Sequence, residues 1–338
     1  MKRTLSGLMS VMFLVAAFCL FNVGTVSAAT TIIKFQSCFP KTSRAGMNFS
    51  IFAEKVAEYT NGEVVVKVYW PGQLVNPKEA FSALQRGMIE AFGGSSMYYV
   101  GVMPEFNFEL LPYLCENPEE AAEIMLNYGV LDLMRKAAAK HGIRYIAPLS
   151  TATMNFLTSF PIHTLEDLKG KKIRAPGMLG EIAAALGATP VNLTTAEQYV
   201  ALQRGTVDGT MYPIYTLEDY KFYEVVQYVS MPGYNSPGWF PILMNASVYD
   251  KMSPANKVAI DRAGIEMMWI SLLYGEIKDK RAKKFSEEKG VKIIELAPEE
   301  VKRFRKATLP VYESHAEKSD LCARQVEIIK KYWKDKGR

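Results

Sequence analysis

Residues 165–177 read LEDLKGKKIRAPG. Thr164-Leu165-Glu166-Asp167 caps a short helical turn, and a strand then runs through Ile173 to Arg174. Pro176 and Gly177 end the strand, and a helix begins near Gly180. An arginine at the C-terminal end of a strand stands where ligands bind in open α/β sheets. The neighbouring helix N-terminus favours an anion. A guanidinium also presents a planar fork that matches a carboxylate. The competing reading is a rim salt bridge, with Glu181 as the near partner.

Working outward, strands and helices alternate. Ile32–Ser37 forms a strand. Phe49, Phe52, Val56 and Tyr59 recur at helical spacing, with Asn61-Gly62 as a C-terminal stop. Glu63–Trp70 is a second strand, and Asn76-Pro77-Lys78-Glu79 opens a helix. Such alternation argues for parallel α/β layers. An internal echo supports two lobes. FSALQRGMIEAF (81–92) and YVALQRGTVDGT (199–210) each end a helix on a glycine, Gly87 or Gly205, before a short strand. Two such lobes leave a cleft, and clefts of this kind bind small molecules.

The expected fold is therefore α/β and bilobed, with two α/β lobes around a central cleft. Lobe I takes residues 29–150 with a return segment at about 239–253, and lobe II takes 151–238. By strand pattern alone the second lobe would begin near Ile143–Ile146, with strands through Ser150 and over Met154–Ser159. Val225–Ser230 and Trp239–Asn245 read as strands returning between lobes. Residues 254–338 supply the spanning and C-terminal helices. Ser253-Pro254 opens a helical pattern to about Glu288, roughly 50 Å long and able to bridge both lobes. Helices near Pro298–Lys318 and Leu321–Lys334 follow.

The N-terminus differs from the rest. Lys2 and Arg3 precede an apolar run over Leu5–Val23, and Val26-Ser27-Ala28 fits a cleavage site. Residues 1–28 read as a signal peptide, with a retained anchor as the alternative. Losing Lys2 and Arg3 lowers the net charge from +5 to +3, too mild and dispersed to argue for nucleic acid. Cys38, Cys115 and Cys322 remain, far apart and without CxxC spacing. An oxidising compartment permits one disulfide among them, and spacing does not choose the pair.

Catalytic constellations are missing from the pattern. His141, His163 and His315 are scattered, lack ligand spacing and read as surface or loop residues, and no metal or cofactor is expected. There is no GxSxG elbow or Walker loop. Gly93-Gly94-Ser95-Ser96 is a small-residue loop that either approaches a ligand or simply turns. Aromatic residues gather in the segments expected to face the cleft: Phe39, Tyr98, Tyr99, Tyr212, Tyr215, Trp239 and Phe240. Each alone reads best as core, but together they suit an apolar or aromatic ligand body.

Beyond these local readings, LEDLKGKKIRAPG (165–177), EIAAALGATPV (181–191) and AEQYVALQRGTVDGTMYP (196–213) resemble the signature of the TRAP-transporter substrate-binding proteins, the DctP-like family. FAEKVAEYTNGEVVVKVYWPGQL (52–74) and ELLPY (109–113) extend the resemblance through most of the chain. It implies a bilobed periplasmic protein, not an enzyme. Such a protein closes on a small organic acid and delivers it to membrane permease subunits driven by an ion gradient. It also implies that Arg174 pairs with the ligand carboxylate and that Tyr212 contacts the ligand. Sugar-acid binders tend to carry asparagine at the latter position. Asn155 stands where some members place a second arginine, which disfavours dicarboxylates. Met211-Tyr212 replaces the Glu-Trp of keto-acid binders. The expected site is Arg174, Asn155, Tyr212, Tyr98, Phe39, Trp239, Phe240 and Thr195, and the expected ligand is a monocarboxylate with an aromatic body as one option. A receptor that presents its ligand to a periplasmic sensor, and a dicarboxylate or keto-acid binder, are the alternatives. The resemblance leaves monomer and homodimer open.

Overall fold

The computed structural model describes residues 30–235 and 237–338. The leader read at 1–28 lies outside them. Two sheets organise the chain. The first contains β1 (Thr31–Ser37), β2 (Val64–Tyr69), β3 (Ala91–Gly93) and β4 (Ile143–Ser150). The second contains β5 (Met154–Thr158), β6 (Lys172–Arg174), β7 (Thr189–Val191), β8 (Gly209–Pro213) and β9 (Tyr228–Met231). The chain then returns to the first sheet as β10 (Trp239–Asn245) and adds β11 (Lys292–Glu295) to the second. The strand orders are β2-β1-β3-β10-β4 and β11-β9-β5-β8-β6-β7.

Each lobe has a parallel kernel. β1 pairs in parallel with β2 and β3, while β6 pairs in parallel with β7 and β8. The ALQRG echo occupies matching places in these kernels. Helices Ala80–Gln85 and Gln198–Gln203 end before Gly87 (φ +71°) and Gly205 (φ +67°), and β3 and β8 follow. Left-handed dihedrals at the two glycines carry no Cβ penalty.

Two placements differ from the sequence reading. Ile143–Ile146 does not begin the second lobe: all of β4 pairs antiparallel with β10 in the first sheet. All of its residues but Arg144 are buried, as in a strand covered on both faces, and such a pattern does not assign it to one sheet. Likewise β9 stays in the second sheet beside β5 and β11, so the return runs between Met231 and Trp239. Strand β11 went unread, because KIIE is short and follows a long helix.

The helix Pro254–Glu288 starts with Ser253 accepting from the Asn256 N–H at 3.2 Å and Pro254 in its first turn. It packs on β4 and on helix Arg44–Tyr59 at one sheet, and on β11 and Thr216–Asp219 beside the other. Helices Pro298–Ala316 and Asp320–Asp335 pack together and back onto both lobes. His315, read as a surface or loop residue, is fully buried there with its Nε2 2.9 Å from Gln325 Oε1. Burial pushes its pKa down to about 4, so it is a neutral core residue.

The turn after β3 is shaped by close packing. A Cβ on Gly93 would lie 2.4–2.5 Å from ring atoms of Phe35 and Phe49. Gly93→Ala should therefore displace two core rings, with an expected loss of about 1–3 kcal/mol. Urea denaturation checks this; an unchanged midpoint would show that the rings yield freely.

Candidate functional site

Between the sheets lies a cavity of about 40 Å³. Phe39, Ser95, Ser96, Met97, Trp239 and Phe240 line it from the first lobe; Arg174, Thr195, Tyr212, Pro213 and Tyr215 line it from the second. The lobes approach closely here: a Cβ on Gly177 would lie 3.2 Å from the Met97 carbonyl oxygen. The glycine after β6 thus lets the second lobe close against the loop after β3.

Arg174 ends β6, with Val191 of β7 and Thr210 of β8 as register partners. It is wholly buried. Its Nε donates to the Leu193 carbonyl at 3.0 Å, while Nη1 and Nη2 have no partner. The guanidinium lies 5.5 Å from the centroid of the Tyr212 ring. Burial draws its pKa below the ordinary value, against the opposing pull of Tyr212, Tyr98 and Tyr234. A guanidinium remains charged in proteins, and among the described residues Arg174 is the one charged residue lining the cavity. The rim salt bridge to Glu181 does not form; Glu181 pairs with Lys318 at 2.6 Å instead.

Tyr212 is held on β8, and its hydroxyl donates to Thr195 Oγ1 at 3.3 Å. Trp239 starts β10; it is 2 % exposed, and its Nε1–H has no partner. Phe39 and Phe240 meet edge to face at 5.3 Å, and Phe240 packs likewise on Phe49 at 5.8 Å. The Gly93–Ser96 loop contributes Ser95 and Ser96 to the wall, favouring its reading as a ligand-facing loop. The Ser95 N–H donates to Cys38 Sγ at 3.1 Å. Burial pushes the Cys38 thiol up to about 12, which makes it a packing group and not a nucleophile.

Six of the eight expected site residues thus line one cavity. Tyr98 lies outside the lining, half-buried, with its ring 6.3 Å from Tyr99. Asn155 also lies outside it. This residue is buried opposite Tyr212 in the β5–β8 pairing, and its amide donates to the Ser230 carbonyl at 3.0 Å. Tyr99 belongs to the first lobe's core, stacked on Phe81. Tyr234 was missed: it is buried near Arg174 with an unpartnered hydroxyl, on a stretch without helix or strand periodicity. Size alone would point elsewhere. A groove of about 830 Å³ runs beside the long helix. Its charges, however, already have partners: Asp261 with Arg144, Glu266 with Lys55 and Tyr59.

Comparison with known proteins is consistent with this geometry. Residues 35–319 match the family described as bacterial extracellular solute-binding protein, family 7 (DctP). The chain is 25% identical over 310 residues to a monocarboxylate 2-oxoacid-binding periplasmic protein of Nostoc, covering 90% of this chain and 85% of that one. It is 26% identical over 296 residues to the C4-dicarboxylate-binding periplasmic protein of Rhodobacter capsulatus, covering 86% and 88%. Among solved structures, a TRAP periplasmic solute-binding protein of Ralstonia eutropha with bound (S)-2-acetolactate superposes with a TM-score of 0.79 at 26% identity, covering 89% and 99%. The protein belongs to the DctP family of TRAP solute receptors, periplasmic proteins that bind small organic acids and work with TRAP permeases; they are receptors, not enzymes.

Proposed function

We propose that this protein captures a small monocarboxylate anion between its lobes and delivers it to a TRAP permease driven by an ion gradient. The leader at 1–28 would direct it to the periplasm. The observation that carries the reading is Arg174: a fully buried cation whose two terminal nitrogens have no partner. A buried charge of this kind is stable only when paired. A carboxylate supplies the charge and the two acceptors that the fork requires. With no second cation in the lining among the described residues, a second carboxylate would stay unpaired, which weighs against dicarboxylates.

The other walls describe the rest of the ligand. Phe39, Tyr215 and Phe240 favour a flat or apolar body. A cavity of 40 Å³ has room for the centres of roughly three waters and so favours a compact acid. The Trp239 indole donor suits a second oxygen beside the carboxylate. Trp239→Phe keeps the wall and removes the donor. It should weaken acids with such an oxygen roughly tenfold, a loss near 1–1.5 kcal/mol, and leave purely apolar acids nearly unchanged. Isothermal titration against matched pairs of acids separates the two cases.

Binding follows a population shift, because an anion touching both lobes selects the closed form. The test is a thermal-shift screen of the leader-free protein with pyruvate, L-lactate, L-pyroglutamate, picolinate, orotate, benzoate, succinate and glucuronate. A ligand at about 100 times its dissociation constant adds about 2.7 kcal/mol of stability. A shift confined to monocarboxylates and lost in Arg174→Ala is expected. A shift only with succinate or glucuronate would sink the monocarboxylate reading.

A further inference from the structure

Behind the cavity wall, on the turn Pro104–Leu110, lies Glu109, which is fully buried. Ser96 Oγ donates to its Oε2, and the Tyr145 hydroxyl donates to Oε1 at 2.7 Å. No charged side chain is paired with it among the described residues. Glu105, on the same turn, faces away and accepts from Ser319 at 2.7 Å. Arg135, from helix Val130–Ala139, pairs with Asp132 at 3.7 Å and donates to the backbone carbonyls of Tyr145 and Ile146, at 3.4 Å each. Tyr145 is itself buried, with a pKa well above the ordinary value, and stays neutral. On the other side of Ser96, Arg174 lines the same cavity.

We propose that Glu109 is a proton-exchanging group that couples capture of the anion to uptake of a proton, with Ser96 as the link. The inference rests on the reading of the Arg174 cavity as a carboxylate site. A hydroxyl has one proton to donate. While Glu109 is ionised it can only accept, so Ser96 turns its proton away from the cavity and shows its lone pairs to the ligand. A carboxylate arriving there meets an acceptor, with a buried negative charge behind it. When Glu109 takes a proton, it donates to Ser96 Oγ and still accepts from Tyr145 at its other oxygen. Ser96 is then free to turn its proton into the cavity and donate to the ligand. Protonation thus converts this wall from acceptor to donor and removes a like charge. The proton comes from solvent on binding and returns there on release. Burial holds the Glu109 carboxyl up at about 7, against the pull of its two hydrogen bonds, so the exchange falls at ordinary pH.

Calorimetric titration with pyruvate and with L-pyroglutamate, at pH 6.5 and 8.5 in phosphate and in Tris, measures the protons exchanged. Wild type should take up a proton at the higher pH and bind roughly tenfold more weakly there. Glu109→Gln imitates the protonated form, because its amide donates to Ser96 and its carbonyl accepts from Tyr145. The variant should bind with no proton uptake and lose the pH dependence. Ser96→Ala removes the donor switch and leaves the buried charge, so its pH dependence should shrink without vanishing. Binding by wild type without proton uptake, or a pH dependence that persists in Glu109→Gln, overturns the proposal while leaving the Arg174 site intact. If neither acid binds, the functional reading fails first, and infrared titration of the free protein judges Glu109. A carboxyl band titrating near pH 7 and missing in Glu109→Gln supports the exchanging group; its absence overturns it.

Discussion

Arg174→Ala should abolish useful binding of any acid that the wild type takes. Truncating one partner of a buried, hydrogen-bonded charge pair costs about 3–5 kcal/mol, a loss in affinity of roughly a hundred- to a thousandfold or more. The size follows from full burial and from the two free terminal nitrogens, since no other charged residue lines the cavity among the described residues. Arg174→Lys should rescue little, because a point charge lacks the fork and cannot keep the Nε bond to Leu193. Arg174→Met gives the control that separates function from structure. It keeps much of the volume and removes an unpaired buried charge, so the ligand-free protein should be as stable as wild type or more so. A structural arginine would behave oppositely and lower stability when replaced. Calorimetric titration and urea denaturation of the three variants decide the matter. Unchanged affinity in Arg174→Ala would remove the carboxylate from this cavity.

The sequence made some of this legible for local reasons. Arg174 was found because strand, turn and helix start all lie within LEDLKGKKIRAPG, so its placement needs no distant contact. The repeated ALQRG was equally local, and its two copies do sit before β3 and β8 in parallel kernels. What pairing decides was harder. β4 and β9 are short, largely buried strands, and only their partners β10 and β11 assign them to a sheet. Asn155 shows the same limit at the level of one side chain. Its place where some family members carry a second arginine suggested the cleft, yet its amide N–H donates to the Ser230 carbonyl, seventy-five positions away. Glu109 lay within ELLPY, which served only the family resemblance; its partners Ser96 and Tyr145 are 13 and 36 residues distant. An acid inside such a run is itself a signal. Burying it demands donors, and asking where they come from would have led to the cavity wall.

Glu109 also leads to the second large effect, on stability and independent of any ligand. Its folded-state pKa is about 7 against an ordinary 4.5, so between these values the folded protein holds a proton that the unfolded chain has released. The folded state binds more protons there, and stability must fall as pH rises. Below about 4.5 both states are protonated and the group is neutral in effect; above about 7 both are ionised and the loss is complete. The shift corresponds to about 3 kcal/mol, lost between those limits. Asp279, held up at about 6 by burial, acts in the same sense. A bare pH profile therefore mixes the two groups, and the difference between wild type and Glu109→Gln isolates one. That difference should be small near pH 5 and should grow to about 3 kcal/mol in favour of the variant by pH 8. The amide keeps both hydrogen bonds and has no charge to desolvate, so it removes the penalty and nothing else. Urea denaturation at the two pH values measures it. A variant less stable than wild type at pH 8 would mean that the carboxylate form is the one the fold was built around, and that Glu109 anchors Ser96 and Tyr145 as a permanent acceptor.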